Sequence, residues 1–360
     1  MFGIKKEKLT TDQVTAALRQ VMDPDLHTDI VTLGMISEVK IELPKVSFTL
    51  TLTTPACPVK EKIEQECRDV VMKLEGVEEV DLKSAANVAG NRKVNGKEPV
   101  AGVKQIIAVT SGKGGVGKST VAVNLACALS QLGAKVGILD CDITGPNVPL
   151  MMGVDDCQPT AKENRIVPPE NYGVKVISMA FFVSRDTPVI WRGPMLDKAI
   201  RQFLRDVEWG ELDYLIVDMP PGTGDAQLSM VQATNLAGGV IVTTPQDVAL
   251  LDGRKGLAMF KAMDVPVLGF VENMSYFTPP GSTERFEIFS HGGGKKLAEE
   301  ANVPFLGEIP IDIQIREGGD KGAPIVASNP EHSVSKAFME IAKQVAAQVS
   351  IQNMAVAANN

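Results

Sequence analysis

The chain has 360 residues, 44% hydrophobic and 22% charged, with 32 Gly and 22 Pro. This is globular composition at a length that suits two domains, and it excludes a collagen-like, coiled-coil or disordered chain. Acidic residues outnumber basic ones 44 to 36, giving a net charge of -8. Lys and Arg form no cluster beyond short pairs, so no general nucleic-acid surface is expected and anionic ligands must be bound locally. No apolar run approaches the roughly 18 residues of a membrane span, and the opening MFGIKKEKLTTDQ lacks a signal-peptide core. The expectation is a cytoplasmic protein with neither membrane nor nucleic-acid partners. The five cysteines, Cys57, Cys67, Cys127, Cys141 and Cys157, are odd in number and widely spaced, unlike a disulfide framework, and should be reduced thiols.

In chain order, residues 1–90 read as a small α+β domain. Thr10-Thr11-Asp12-Gln13 offers a helix N-cap ahead of the periodic Val14, Ala17, Leu18 and Val21, with Pro24 as the stop. Strands are expected over Ile36–Ile41 and Val46–Leu52, the second alternating with period two. TTPACPVKEKIEQECRDVVMKLEGVEEV then gives a Pro-bounded loop, an amphipathic helix and a last strand. The polar stretch 91–104 reads as a linker. From 105 to 350, apolar β-rich runs such as QIIAVTS, KVGILDCD, DYLIVDMPP, GGVIVTTP and VPVLGFVENM alternate with helical patterns. Continuous apolar runs mean strands covered on both faces, so the predicted fold is α/β, a doubly wound, mostly parallel sheet with ligands at the strand carboxyl ends. Residues 351–360 read as a frayed tail.

Directly after the strand QIIAVTS comes SGKGGVGKST, a P-loop pattern in its required strand, loop and helix order. Backbone N–H groups of Gly112, Gly114, Gly115, Val116 and Gly117 can turn inward around phosphate oxygens. Lys118 supplies a charge to the β/γ-phosphates, Ser119 a hydroxyl for Mg²⁺, and Thr120 a further phosphate contact. Asp218, after the apolar run DYLIV, has the Walker B arrangement that orients Mg²⁺ and its water shell. Asp142, at the end of the neighbouring strand, is a further candidate acid, with Asp140 as the alternative.

A second loop lysine, Lys113, makes the motif resemble the deviant Walker A of the SIMIBI ATPases, which include the ParA/MinD, nitrogenase-iron-protein and Mrp/ApbC groups. The resemblance implies that Lys113 reaches the partner's phosphates across a nucleotide-sandwich homodimer, and that ATP hydrolysis is slow and regulatory. Asp142 then resembles the switch I aspartate, which implies that it positions the attacking water. Gly222, Thr223, Gly224 and Asp225 resemble a switch II sensor, while Asn273, with Pro310 and Asp312, matches the adenine-lining positions.

The segments CDITGPNVPLMMG, WRGPMLDKAIRQFL, VTTPQDVALLD, GFVENMSYF and IPIDIQIREGGDKGAPIV are closest to the Mrp/ApbC iron–sulfur cluster carriers, and DPDLHTDIVTLGMI with TTPACP resembles the small domain that precedes many of them. The implied cargo is an iron–sulfur cluster, [4Fe–4S] in that family, delivered to recipient apoproteins with the help of cluster-assembly proteins. The bacterial carriers place a C-x-x-C pair after VENMSYF; here Thr278, Pro279, Pro280 and Gly281 follow. Cys57, at a strand-to-helix junction where N–H groups should lower its pKa, is the leading remaining ligand. The rival reading is a metal-free, ParA/MinD-like partner switch gated by ATP, with a P-loop metabolic kinase third.

Overall fold

The computed structural model describes residues 8–90, 97–143, 145–182 and 193–358. Part of the expected linker (91–96), Thr144, and the start of the WRGPMLDKAIRQFL segment lie outside them. The chain divides into two compact units. One runs up to Val88 and includes the end of the C-terminal helix from Asn353; the other spans Ala89–Gln352.

In the smaller unit, Thr10 caps the helix Thr11–Leu18 as a capping box. The Gln13 N–H donates to Thr10 Oγ1 at 3.3 Å, and the Thr10 N–H to Gln13 Oε1 at 2.9 Å. The helix ends well before Pro24, because Gln20 and Val21 close it with tight bonds to the Ala17 and Leu18 carbonyls. Strand Lys45–Leu52 pairs antiparallel with Ile36–Glu42 and parallel with Glu79–Ala86. Helix Lys60–Met72 makes the crossover that the parallel pairing demands. The alternation buries Val46, Phe48, Leu50 and Leu52 against Val14, Leu18, Ile63, Cys67 and Val71.

In the larger unit, the described residues form an eight-stranded sheet. Its order is Glu170–Asn171, Val174–Ser178, Val136–Asp140, Leu212–Asp218, Val103–Ser111, Gly238–Thr243, Val267–Glu272, Phe305–Glu308. Every pairing is parallel except that of Glu170–Asn171 with Val174–Ser178. The central strand starts at Val103, two residues before the expected domain start, and Ile106, Ile107, Ala108 and Val109 are wholly buried, as a sheet covered on both faces requires. Helix Lys118–Gln131 is buried from Val121 to Leu129. The chain leaves the central strand, skips a place to Val136–Asp140, and returns to fill the gap with Leu212–Asp218. The crevice at this reversal is where the loop after Ser111 opens.

The C-terminal helix does not fray at residue 351. It runs from Ser333 to Ala358, continued by the strong helix formers of MAVAA. Its buried Val334, Phe338, Ile341, Val345 and Val349 recur at helical spacing.

Each unit has a hydrophobic core of its own, so their stabilities should separate. Phe48→Ala removes a ring at 1% exposure and should cost about 3–5 kcal/mol. Calorimetry should show the smaller unit's transition lowered or lost while that of the larger unit stays in place. Equal lowering of both would contradict independent cores.

Candidate functional site: a carboxylate cage under the P-loop

The loop after the central strand turns through Gly115 (φ 80°) and Gly117 (φ 81°), both left-handed, which brings successive N–H groups to one side. A Cβ on Gly117 would stand 2.1 Å from Asn273 Nδ2, and one on Gly112 2.1 Å from the Asp252 carbonyl oxygen. Both positions therefore need glycine for space. Ser111 Oγ donates to the Lys113 carbonyl at 2.8 Å and braces the loop entrance. Among the described residues the half-buried Lys113 ammonium has no carboxylate within ion-pair distance, which leaves it available to a ligand or another chain.

Below the loop, parallel register sets the electrostatics. Asp218 pairs with Asp140 across one strand boundary and with Val109 across the other, so two wholly buried carboxylates lie side by side. Lys118 Nζ, at the first position of its helix, donates to Asp218 Oδ1 at 2.6 Å and lies 3.7 Å from Asp142 Oδ2. Ser119 Oγ donates to Asp218 Oδ2 at 2.6 Å. The P-loop lysine and serine thus both rest on the Asp218 carboxylate.

Asp140 accepts hydrogen bonds from the loop that follows its strand. Its Oδ1 accepts from the Asp142 N–H at 3.0 Å, and its Oδ2 from Ser178 Oγ at 2.9 Å and the Val148 N–H at 3.3 Å. Asp142 accepts from the Gly145 N–H at 3.3 Å and stands above it. The two acids, alternatives in the sequence, have different positions: Asp142 meets the lysine and Asp140 anchors the backbone. Burial, then the Asp218 charge, pushes the Asp140 carboxyl up to about 8. Burial also raises Asp218, against the pull of Lys118.

Asn273 follows strand Val267–Glu272 and donates from Nδ2 to the Val116 carbonyl at 2.8 Å. It ties the turn after this strand to the P-loop. Pro310 is drawn beside this turn, because the Ser275 N–H donates to Ile309 O and the Ile311 N–H to Tyr276 O. Asp312 caps helix Ile313–Asp320, accepting from the Gln314 N–H at 2.7 Å, so its carboxylate already serves that helix. Gly222, Thr223 and Gly224 form the bend before helix Asp225–Ala233. Gln227 Nε2 holds that bend by donating to the Pro220 and Gly222 carbonyls.

The thiols differ from the expectation. Burial pushes Cys57 up to about 11, and the charges of Asp23 and Asp25 raise it further, while the Val59 N–H lowers it only in part. The helix begins at Lys60 without a side-chain cap, and the enclosed site outweighs its N-terminus. Cys67 is pushed to about 12 by burial, Cys127 and Cys141 are core residues, and Cys157 is exposed. Among the described residues no group of three or more metal-binding side chains within a chain includes a cysteine. Sequence reasoning missed the Ser178 bond to Asp140, which depends on the register of Ser178 with Asp140, and the convergence of Glu272, His291 and Glu308.

The Asp140 carboxyl gives a pH signature in the nucleotide-free chain. An acid raised to about 8 on folding makes the folded state bind more protons, so its contribution to stability falls as pH rises from about 4 to 8 and is level above. The stability of wild type minus that of Asp140→Asn should decline across that window in urea titrations. A difference independent of pH would mean that Asp140 ionises normally.

No helix among the described residues is long and apolar enough to cross a membrane. Residues 102–346 match the family model for the NUBPL iron-transfer P-loop NTPase, and residues 11–82 that for the iron-sulfur cluster assembly protein. The iron-sulfur cluster carrier protein of Synechocystis is 55% identical over 95% of this chain and 99% of its own, and that of Deinococcus radiodurans 46% identical over 95% and 97%. The iron-sulfur cluster transfer protein NUBPL of Dictyostelium discoideum is 49% identical over 71% of this chain and 80% of its own. Among solved structures, a nucleotide-binding protein from Archaeoglobus fulgidus in complex with ADP aligns with TM-score 0.59 at 38% identity, over 66% of this chain and 93% of that one. The strand order, the double-lysine P-loop and its acidic cage therefore sit in a chain whose sequence matches along nearly its whole length, and it belongs to the NUBPL-type iron-transfer P-loop NTPases, with an iron–sulfur cluster assembly domain ahead of the NTPase.

Proposed function

We propose that this chain is an ATP-driven iron–sulfur cluster carrier: it binds and hydrolyses ATP slowly, and nucleotide state governs cluster release from a homodimer to recipient apoproteins. The observation that carries the nucleotide half is the Lys118–Asp218–Ser119 contact set under a glycine loop with its amides turned to one side. Without nucleotide the lysine neutralises the buried acids. With ATP, Lys118 leaves Asp218 for the β/γ-phosphate oxygens. The chemistry of the vacated donors, a hydroxyl beside a carboxylate, fits Mg²⁺, with Ser119 as a direct ligand and Asp218 acting through water. When bound, Mg²⁺ neutralises phosphate charge. Asp142 orients the attacking water, held by the Asp140 scaffold beneath it. Asn273 and the Pro310 segment line the base, and the bend at Gly222–Gly224 senses the γ-phosphate.

For the cargo, Cys57 is the ligand offered by the smaller unit. No single chain gathers enough thiols among the described residues, so a cluster would bridge chains or borrow thiols from a partner, glutathione or Cys157. A thiol pushed up to about 11 yields its proton reluctantly, and metal must compete with that proton. Such ligation is labile, which suits delivery.

The direct test is anaerobic reconstitution followed by transfer to an apoprotein. Lys118→Ala should lose nucleotide affinity by about 100-fold or more and lose ATP-dependent transfer while still loading iron; Cys57→Ser should keep ATPase activity and lose loading. Equal loading and transfer by Cys57→Ser would remove this thiol. No loading by wild type, with ATPase activity intact, would favour a metal-free ATP-gated switch.

Lys113 acts in trans in this reading. Mixing Lys113→Ala chains with Asp142→Ala chains, with heterodimers verified, should restore ATPase activity above either parent, because one composite site regains both groups. Activity no higher than the parents' would place Lys113 in its own chain's site or outside catalysis.

A further inference from the structure

We propose that Glu272, His291 and Glu308 form a binding site for a first-row divalent cation, of oxygen and imidazole ligands, made of residues other than the Lys118, Ser119 and Asp218 set and the thiols. The parallel register pairs Glu272 with Glu308 at the carboxyl ends of adjacent strands, so two acids of like charge stand side by side, the first wholly buried. His291, from the loop before helix Gly293–Ala301, completes the group. Its Nε2 lies 2.7 Å from Glu308 Oε2, and one ligand atom from each of the three residues falls within 4.8 Å of the others. Ligands at about 2.0–2.2 Å from a shared ion stand roughly 3–4 Å apart, so closing the set takes a small side-chain shift.

The surroundings are rich in acceptors. Ser275 Oγ lies 2.6 Å from Glu272 Oε1 and 3.3 Å from Glu308 Oε2. A hydroxyl has one proton and can donate to only one of them, so the other pair of oxygens faces each other without a proton. Two carboxylates, a hydroxyl and an imidazole are therefore gathered at one place. The outer edges are already partnered. The Gly292 and Gly294 N–H groups donate to Glu272 at 3.0 and 2.6 Å. The Arg285 guanidinium lies over the Tyr276 ring at 4.1 Å and reaches 3.6 Å from Glu308 Oε1. These contacts orient the carboxylates from behind, as partners of metal ligands do, and leave Glu308 Oε2 turned inward. His291 and Glu308 keep 36% and 31% exposure, which gives a cation access from solvent. One imidazole and two carboxylates suit Mn²⁺, Fe²⁺ or Zn²⁺ and disfavour the soft ions that thiolates select.

Mn²⁺ is the appropriate probe, since it binds oxygen and nitrogen in preference to the five thiols. The full chain, stripped with chelator and free of nucleotide, should bind one Mn²⁺ per chain by the loss of the free-ion electron paramagnetic resonance signal. The bound ion should show nitrogen coupling from one imidazole. His291→Ala should abolish that coupling, and His291→Ala and Glu308→Gln should each weaken binding by about tenfold or more. Both side chains are partly exposed, and circular dichroism of the variants confirms that the fold is kept. Absence of binding by wild type at millimolar Mn²⁺, or an affinity and nitrogen coupling unchanged in His291→Ala, would overturn the assignment.

Discussion

Asp140 and Asp218 are buried side by side at the ends of adjacent parallel strands, and among the described residues the one ammonium paired with them, that of Lys118, lies against Asp218. Charges taken out of water are costly, and a buried pair broken by loss of one partner costs several kcal/mol. The larger unit therefore carries an electrostatic tension that its own residues only partly relieve. The raised Asp140 and Asp218 carboxyls are the measure of it. In the proposed function an incoming nucleotide would draw the lysine to phosphate and leave Ser119 and Asp218 to hold Mg²⁺, which would supply the compensating charge. Asp140 is both a member of the crowded pair and the acceptor for the backbone of the Asp142 loop. In the proposed function that loop carries the residue that orients water, so Asp140 would link nucleotide binding to it.

The nucleotide half of this arrangement was legible in the chain, because a P-loop keeps strand, glycines, lysine and helix within a short contiguous run. The spacing of SGKGGVGKST after QIIAVTS specifies the loop, and the apolar run before Asp218 specifies a strand ending in an acid. Which strands neighbour which was not legible. The adjacency of Asp218 and Asp140, and the bond from Ser178 to Asp140, arise from pairing between distant segments, and no local pattern encodes that register. The same holds for Glu272, His291 and Glu308. Each reads alone as an ordinary polar residue, and only the pairing of the last two strands brings them together. Local chemistry misled at Cys57, where a position before a helix pointed to a lowered pKa. Enclosure of the thiol and two nearby aspartates outweigh the helix terminus. At the far end of the chain, small apolar residues that read as a tail extend the last helix to Ala358.

The two units offer contrasting ligand chemistries. The smaller one presents a single half-buried thiol in TTPACP, held protonated and close to Asp23 and Asp25. The larger one presents carboxylate and hydroxyl oxygens beneath the phosphate loop and, at the far edge of the sheet, two carboxylates with an imidazole. Among the described residues no group of thiols converges to hold a soft metal cluster within one chain. The proposed function therefore relies on ligation between chains, timed by a nucleotide cycle that starts from the Lys118–Asp218 pair.

The most direct test of this account is a structure of the full chain with Mg²⁺ and a non-hydrolysable ATP analogue, followed at the Lys118 ammonium. The account predicts that Nζ leaves Asp218, from which it stands 2.6 Å in the free chain, for the β/γ-phosphate oxygens, while Asp218 turns to the water shell of the metal bound by Ser119. A Lys118 still paired with Asp218, with the phosphates held elsewhere, would contradict it.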